Sequence, residues 1–186
     1  MPPDQEPRQS GAIVLDTLRS MREVVGEPEV RSSMERLDAE ARLFFAGLTT
    51  LTWVPASMVE HLFDVVASST GRARDALQDE VGRRGVERTL NTLWRVILRV
   101  TTDNALVSRT PLLFSKTYDR GALTSRLVRA GSAEIVLAGW PDVPDFHARG
   151  VAIGIETVLK CAGRKGARVT WARRVSGVTY QASWEP

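Results

Sequence analysis

The sequence predicts an α+β fold, in which a helical first two-thirds leads into a four-stranded antiparallel sheet with helices packed on one face. Apolar residues recur at helical spacing as far as about residue 117, whereas they alternate with polar residues beyond Gly121. The alternating region has the order strand, strand, helix, strand, strand, and its short turns favour antiparallel hairpins. At 186 residues, the chain is long enough to bury a core without disulfides or metals.

The helical part begins after a short polar segment. Residues 1–10 are polar and contain prolines, which predicts a disordered tail in front of a single domain over residues 11–186. The first amphipathic helix is expected from Ala12 to Val25, and Gly26 ends it.

Start and stop signals divide the rest of the helical part. Its helices are expected at about 29–37, 38–46, 53–68, 72–100 and 103–117. Asp38 and Asp103 are candidate N-caps, because a carboxylate accepts hydrogen bonds from the free N–H groups of a first turn. Gly82 and Gly85 can bend or break the longest helix, and Pro111 can kink the last one.

Alternation locates the strands of the last third of the chain. They are expected at about 123–127, 133–137, 168–173 and 178–184, with a helix over 146–161 between the two pairs. In the closing hairpin, Val169 and Trp171 alternate with polar neighbours, as do Val178 and Tyr180. These four side chains are predicted to face the helices, so that the hairpin forms the structural end of the sheet.

Composition is typical of a globular protein and excludes several classes. Hydrophobic residues make up 43% of the chain and charged residues 25%. No apolar run approaches the roughly 20 residues that cross a bilayer, and the N-terminus has no signal pattern, so a cytoplasmic protein without membrane contact is expected. The single cysteine, Cys161, excludes an internal disulfide and a cysteine-clustered zinc site.

Signals of a catalytic centre are nearly absent. The two histidines, His61 and His147, lie far apart in the sequence, and no nucleophile elbow, phosphate-binding loop or zinc-binding helix motif occurs. We therefore predict no enzyme activity, no cofactor and no metal site.

Bulky aromatic residues are the best candidates for a ligand site. The 5 tryptophans and 5 phenylalanines are expected in the core first of all, and a pocket would come from incomplete packing between helices and sheet. The expected lining of such an apolar pocket is Trp94, Phe114, Trp140, Phe146 and His147. His147 lies at the start of a predicted helix near a turn, where it can line or gate a pocket.

A row of arginines suggests a second surface. Arg84, Arg88, Arg95 and Arg99 fall on one side of the predicted helix at 72–100. The row is either a solvated face with local ion pairs or a surface for an acidic partner. A nucleic-acid partner is disfavoured, because Trp94 points away from the arginines and no aromatic residue is interleaved with them.

Several loose motifs occur in an order that resembles a known family. Tyr118-Asp119 precedes the first strand, a P-x-x-P-x-F segment ends at Phe146, an AG-x-K segment ends at Lys165, and Trp184 closes the last strand. In this order they resemble a paralogous family of uncharacterised proteins from myxobacteria. That family is similar in layout to 4-vinyl reductase domains, which share a fold class with heme–nitric-oxide-binding domains and TRAPP vesicle-tethering subunits.

The resemblance implies small-molecule sensing or dimeric scaffolding on the same order of helices and strands. Many 4-vinyl reductase domains carry zinc-binding cysteines around the last hairpin, and this chain has none there. Heme-binding relatives hold the heme propionates with a Tyr-x-Ser-x-Arg clamp, whereas here Tyr118 is followed by Asp119 and Arg120. Neither zinc nor heme is therefore expected.

Three functional hypotheses remain. The first is a non-catalytic sensor that holds a small apolar ligand between helices and sheet. The alternative is a homodimeric protein-interaction or scaffold module in bacterial signalling, which would use an apolar helix face or the sheet edge. The third, binding of an acidic partner by the arginine row, ranks last.

Overall fold

The predicted order, helices first and then a four-stranded antiparallel sheet, is confirmed. The structure, a computed structural model, describes residues 6–90 and 92–186, without the side chains of 92–95. Two compact units are distinguished: the first contains residues up to 85 with 117–119, and the second contains 86–116 and 120–186. The single domain expected over 11–186 stays a prediction, and residues 1–5 of the expected tail lie outside the described residues.

The first unit combines helices with a small two-stranded sheet. Its elements are β1 (Arg8–Ser10), α1 (Gly11–Val25), α2 (Glu27–Glu35), α3 (Ala39–Ala46), β2 (Trp53–Pro55), α4 (Ala56–Thr70) and most of α5 (Arg74–Thr89). The core of the unit is apolar and comes mainly from α1, α4 and α5, with Met21, Leu62 and Leu77 fully buried. Burial of these periodic apolar faces drives the helices together.

Two segments of the first unit differ from the expectation. Residues 8–10, placed in the tail by their composition, pair with residues 53–55, which were expected to open a helix. The Nε of Arg8 lies 2.6 Å from a carboxylate oxygen of Asp119, and this ion pair holds the N-terminal strand in place. The cap at Asp38 is confirmed, since its carboxylate accepts a hydrogen bond of 2.8 Å from the Ala41 N–H.

The second unit contains four further helices among its described residues. They are α6 (Thr92–Val100), α7 (Asp103–Val107), α8 (Thr110–Ser115) and α9 (Asp145–Cys161). The single helix expected over 72–100 is wrong, because α5 and α6 are separate and both Gly82 and Gly85 lie inside α5. None of the helices in the described ranges has the length and apolar character that crossing a membrane requires.

The helix expected over 103–117 is also two helices, α7 and α8. The cap of α7 is Thr102 rather than Asp103, since the Thr102 hydroxyl accepts a hydrogen bond of 3.3 Å from the Ala105 N–H. Pro111 does not kink a helix but lies in the first turn of α8, where its missing N–H needs no partner.

The sheet has the strand order β3-β4-β6-β5, and all neighbours are antiparallel. Its strands are β3 (Ala122–Arg129), β4 (Ser132–Ala138), β5 (Arg168–Arg174) and β6 (Gly177–Ser183). Register places Ser125, Ile135, Tyr180 and Trp171 side by side in one row across the four strands. This row belongs to the buried face, on which α9 packs against β5 and β6, so the predicted inward face of the hairpin is confirmed.

The outer edge of β5 is partly covered by a side chain from α9. The Glu156 carboxylate accepts a hydrogen bond of 3.0 Å from the Val169 N–H and a second from the Lys160 ammonium group. A main-chain N–H that points away from the sheet thereby has a partner within the unit.

A half-buried arginine joins three segments of the second unit. The Arg164 guanidinium, only 12% exposed, donates to Asp103 Oδ1 (2.9 Å) and to the carbonyl oxygens of Leu98 (3.3 Å) and Thr101 (2.5 Å). Asp103 also accepts a hydrogen bond of 3.1 Å from the indole N–H of Trp184. The ends of α6, α9 and the last strand are fastened at this one point.

Candidate functional site

Three of the predicted lining residues form one aromatic cluster, at the junction of β4 and α9. The rings of Trp140 and His147 have centroids 5.6 Å apart at an angle of 34°, and those of Phe146 and His147 are 5.0 Å apart and perpendicular. Trp140 and His147 are almost fully buried, with 3% and 1% of their surface exposed. We call Trp140, Phe146 and His147 the aromatic cluster.

Local sequence places the members of the cluster together. Val143 is fully buried and its N–H donates to the Trp140 carbonyl oxygen (3.4 Å), which folds the chain back before Pro144 begins α9. Gly121 has a φ of +78°, and a Cβ on it would lie 2.9 Å from a methyl carbon of Leu137 and 3.4 Å from the Trp140 Cβ. Only glycine allows this close approach without strain.

An arginine on β5 holds the loop of residues 140–144 against the sheet. The Arg173 guanidinium donates to the Val143 carbonyl oxygen (2.9 Å) and to the Asp145 carboxylate. The arginine and aspartate side chains are 46% and 75% exposed, so this ion pair contributes roughly 0–1 kcal/mol. The solvent-exposed side of the loop that carries Trp140 is therefore fastened by an ion pair of low energy.

That the aromatic cluster lines a ligand site stays a prediction, and it rests on the kind of side chain present. Apolar rings supply contact area, while an indole N–H and an imidazole are groups able to orient a polar atom of a ligand. Within the described ranges, no three side chains of the kind that bind metals come together.

The structure does not unite the whole set of predicted lining residues. Phe114 is buried on α8, which packs against β3, and the side chain of Trp94 lies outside the described residues. Sequence reasoning missed Arg173 as the residue that fixes the loop. The available signal was an arginine at a position of β5 whose alternation points toward the buried face.

The predicted arginine row is divided between two helices, with Arg84 and Arg88 on α5 and Arg95 and Arg99 on α6. The Nε of Arg84 lies 4.0 Å from a carboxylate oxygen of Glu23, and the Arg95 side chain lies outside the described residues. The acidic-partner surface at these residues stays a prediction.

A separate surface groove lies in the first unit. It has a volume of about 270 Å³ and is bordered by α1, α2 and α3. Val30, Met34 and Ala46 form its apolar part, and Arg22 and Glu27 on its rim form an ion pair of 2.9 Å. No predicted site residue lines it.

Comparison with known proteins identifies the fold. No protein-family model and no curated protein matches the chain. Among solved structures, the Fe(II) unliganded H-NOX protein from K. algicida has a TM-score of 0.69 at 11% identity, over 95% of this chain and 97% of that chain. An oxygen-binding H-NOX domain related to soluble guanylate cyclases, solved as its oxygen complex, has a TM-score of 0.66 at 16% identity, over 95% of each chain.

A third structure, described as probing heme distortion in the H-NOX family, has a TM-score of 0.68 at 17% identity and covers 95% of each chain. These likenesses define an α+β domain of the heme–nitric-oxide-binding fold class. The chain has the fold of H-NOX domains, which confirms that part of the fold implied by the resemblance.

Proposed function

We propose that this protein is a non-catalytic sensor domain that binds a small, mainly apolar molecule at the aromatic cluster. The observation that carries the proposal is the burial of His147, at the start of α9, against the rings of Phe146 and of Trp140, which lies in a loop fastened by an exposed ion pair. Opening residues 140–144 would break the Arg173–Asp145 ion pair and the hydrogen bond from Arg173 to the Val143 carbonyl oxygen, and it would expose the buried side chains of Trp140 and Val143. A ligand seated against the aromatic cluster would have to restore this burial. We also propose that the protein is cytoplasmic and that it belongs to the myxobacterial paralogous family.

The structural neighbours bring heme into consideration, because they include a structure on heme distortion, an oxygen complex and an Fe(II) protein. The residues present here do not fit that group. Tyr118 is buried beside the carboxylate of Glu60, and this negative charge, after burial itself, contributes to raising the pKa of the Tyr118 hydroxyl. A heme propionate at that hydroxyl would meet the same repulsion.

The residue after Tyr118 and the two histidines do not favour heme binding either. The Asp119 carboxylate accepts hydrogen bonds from the main-chain N–H (2.8 Å) and the Nε (2.6 Å) of Arg8. His61 is exposed on α4, and His147 is packed in the aromatic cluster. We therefore derive no step through heme, and titration of the purified protein with hemin is expected to give no saturable Soret band; a stoichiometric band would contradict this.

The environment of Tyr118 predicts a loss of stability at alkaline pH. Because the folded-state pKa of its hydroxyl lies above the unfolded value of about 10, the unfolded chain loses this proton first as pH rises. The free energy of unfolding should thus fall above about pH 10, by up to roughly 1.4 kcal/mol per pH unit from this group. Urea unfolding at several pH values should show a shallower decline for Tyr118→Phe, and equal declines would contradict the assignment.

A second candidate function, a homodimeric scaffold, is favoured by one specific observation. Large apolar side chains are exposed on two helices of the second unit, namely Val96, Ile97 and Val100 on α6 and Leu112 on α8. Val96, Ile97 and Val100 lie within one turn of α6, and an exposed apolar patch of this kind is typical of protein interfaces. A dimer whose interface buries more than roughly 1,000 Å² would support this function.

Native mass spectrometry of the purified protein separates the two functions. We expect a mass above that of the chain which disappears on denaturation, and we expect Trp140→Phe to lower the occupied fraction. Trp53→Phe is the matched control, since Trp53 lies on β2 and is 38% exposed. A bare dimer would support the scaffold instead, and a chain without extra mass in either oligomeric state would contradict the sensor.

A further inference from the structure

The face of the sheet opposite the helices is polar and solvated. Strand alternation and register place its residues in rows across the four strands. The middle row is Arg126, Glu134, Gln181 and Thr170, and the row at one end is Arg129, Ser132, Ser183 and Arg168. Arg174 lies at the other end, beside Gly177. We call these residues the polar sheet face.

Positive charge dominates the polar sheet face. It carries four arginines (Arg126, Arg129, Arg168 and Arg174) and one carboxylate, Glu134. This excess of three positive charges equals the net charge of the whole chain, which is +3. The formal charges of the remaining residues therefore sum to zero, and the polar sheet face carries a local positive excess.

The single carboxylate of the face is already neutralised. Glu134 Oε1 accepts a hydrogen bond from Arg126 Nε (2.8 Å), and Glu134 Oε2 accepts one from the Gln181 side-chain amide (3.0 Å). These hydrogen bonds, followed by the charges of Arg126 and Arg174, lower the pKa of Glu134. Three guanidinium groups remain without a carboxylate partner on the face.

These three guanidinium groups are free to meet a ligand. Arg129, Arg168 and Arg174 are exposed, and the Arg174 Nε has a 3.4 Å contact with the Thr179 hydroxyl. At the same end as Arg168, Lys165 and Glu185 are joined by a main-chain hydrogen bond and carry opposite charges. The charges of Lys165 and Glu185 cancel, so the positive charge excess at the polar sheet face is unchanged.

The shape of the surface limits what can bind it. Four strands about 4.8 Å apart, each of about seven residues at 3.3 Å, give an open area of roughly 15 by 20 Å. Its residues are all described and include no aromatic side chain, so it lacks the stacking platforms on which single-stranded nucleic acids bind. A second copy of the chain is also disfavoured, because a two-fold contact would oppose arginine to arginine.

We propose that the polar sheet face docks an acidic surface of a partner protein. Guanidinium groups match carboxylates in geometry as well as in charge, and the threonine, serine and glutamine side chains between them supply further hydrogen bonds. The role is distinct from ligand binding, since the aromatic cluster uses none of these residues. The closing hairpin thus contributes its inward side to the core and its outward arginines to recognition.

The test measures binding of a fluorescein-labelled 20-residue polyglutamate peptide to the full chain by fluorescence anisotropy. Arg129, Arg168 and Arg174 are changed together to glutamine, which keeps the strands but removes the charge excess. We expect Kd to rise about tenfold, since three exposed charge pairs with the peptide would be lost. The matched control changes three exposed arginines elsewhere, Arg19, Arg36 and Arg109, to glutamine and should change Kd less than twofold.

A second variant tests the face in the opposite direction. Glu134→Gln removes the one carboxylate and should tighten peptide binding, so the proposal does not depend on a loss that misfolding could also cause. Equal weakening by the two triple variants, or no binding by the wild type, would overturn the proposal. Tighter binding of a DNA oligonucleotide than of the peptide, with the same dependence on Arg168, would replace the acidic protein by a nucleic acid.

Discussion

Replacing Gly177 by alanine is expected to destabilise the sheet by about 3–5 kcal/mol, a large part of the stability of a domain of this size. A Cβ at Gly177 would lie 2.1 Å from the carbonyl oxygen of Leu137, an atom fixed in the β4–β6 ladder. The φ of Gly177 is +149°, a conformation that other residues rarely adopt. The main chain would have to move, and the neighbouring pairs with Ala138 and Arg174 would be disturbed.

Chemical denaturation followed by tryptophan fluorescence measures this loss. The matched control is Gly154→Ala in α9, where an added Cβ meets no atom within 4 Å. There the same change should stabilise the protein by roughly 0.5–1 kcal/mol, because alanine favours the helix. If both substitutions changed the unfolding free energy alike, the packing around Gly177 would not be as described.

Removing the carboxylate of Asp103 is expected to cost about 2–3 kcal/mol of stability. Asp103→Ala leaves the Arg164 guanidinium, which is 12% exposed, without the carboxylate that it contacts among the described residues, and it removes the acceptor of the Trp184 indole N–H. Arg164 keeps its main-chain acceptors at Leu98 and Thr101, so the effect stays below that of a fully buried, isolated charge.

Thermal unfolding of Asp103→Ala and Asp142→Ala makes a matched comparison. Asp142 is an exposed residue of the loop that follows Trp140, and its loss should change stability by less than about 0.5 kcal/mol. A melting temperature lowered equally in the two variants would mean that the Asp103 contacts contribute nothing beyond a surface charge.

Local patterns predicted the elements that depend on neighbouring residues. Alternation in the closing hairpin identified Val178 and Tyr180 as core positions, and both are fully buried. The strands at Arg8–Ser10 and Trp53–Pro55 could not be found in this way, because they exist through pairing between segments far apart in sequence. The cap of α7 shows a different limit: Thr102 and Asp103 are both good N-caps, and only the backbone conformation decides between them.

The candidate site, too, could be predicted from the sequence only where it depends on neighbouring residues. Trp140, Phe146 and His147 lie close together in the sequence, so a loop leading into a helix was enough to suggest that they meet. Arg173, which fastens their loop, comes from a strand nearly thirty residues later, and its contact with Val143 depends on the order of the strands. The charge excess of the polar sheet face likewise became visible only when register put Arg126, Arg129 and Arg168 on one side.

The contact between Glu156 and the Val169 N–H has a consequence for association. An uncovered outer strand can serve as a template on which another chain adds a strand, and it is a frequent origin of aggregates. With a carboxylate bound to this N–H and arginines along β5, an approaching backbone meets an occupied donor and concentrated charge. Strand addition at the outer edge of β5 is thereby disfavoured, and so is aggregation through this edge.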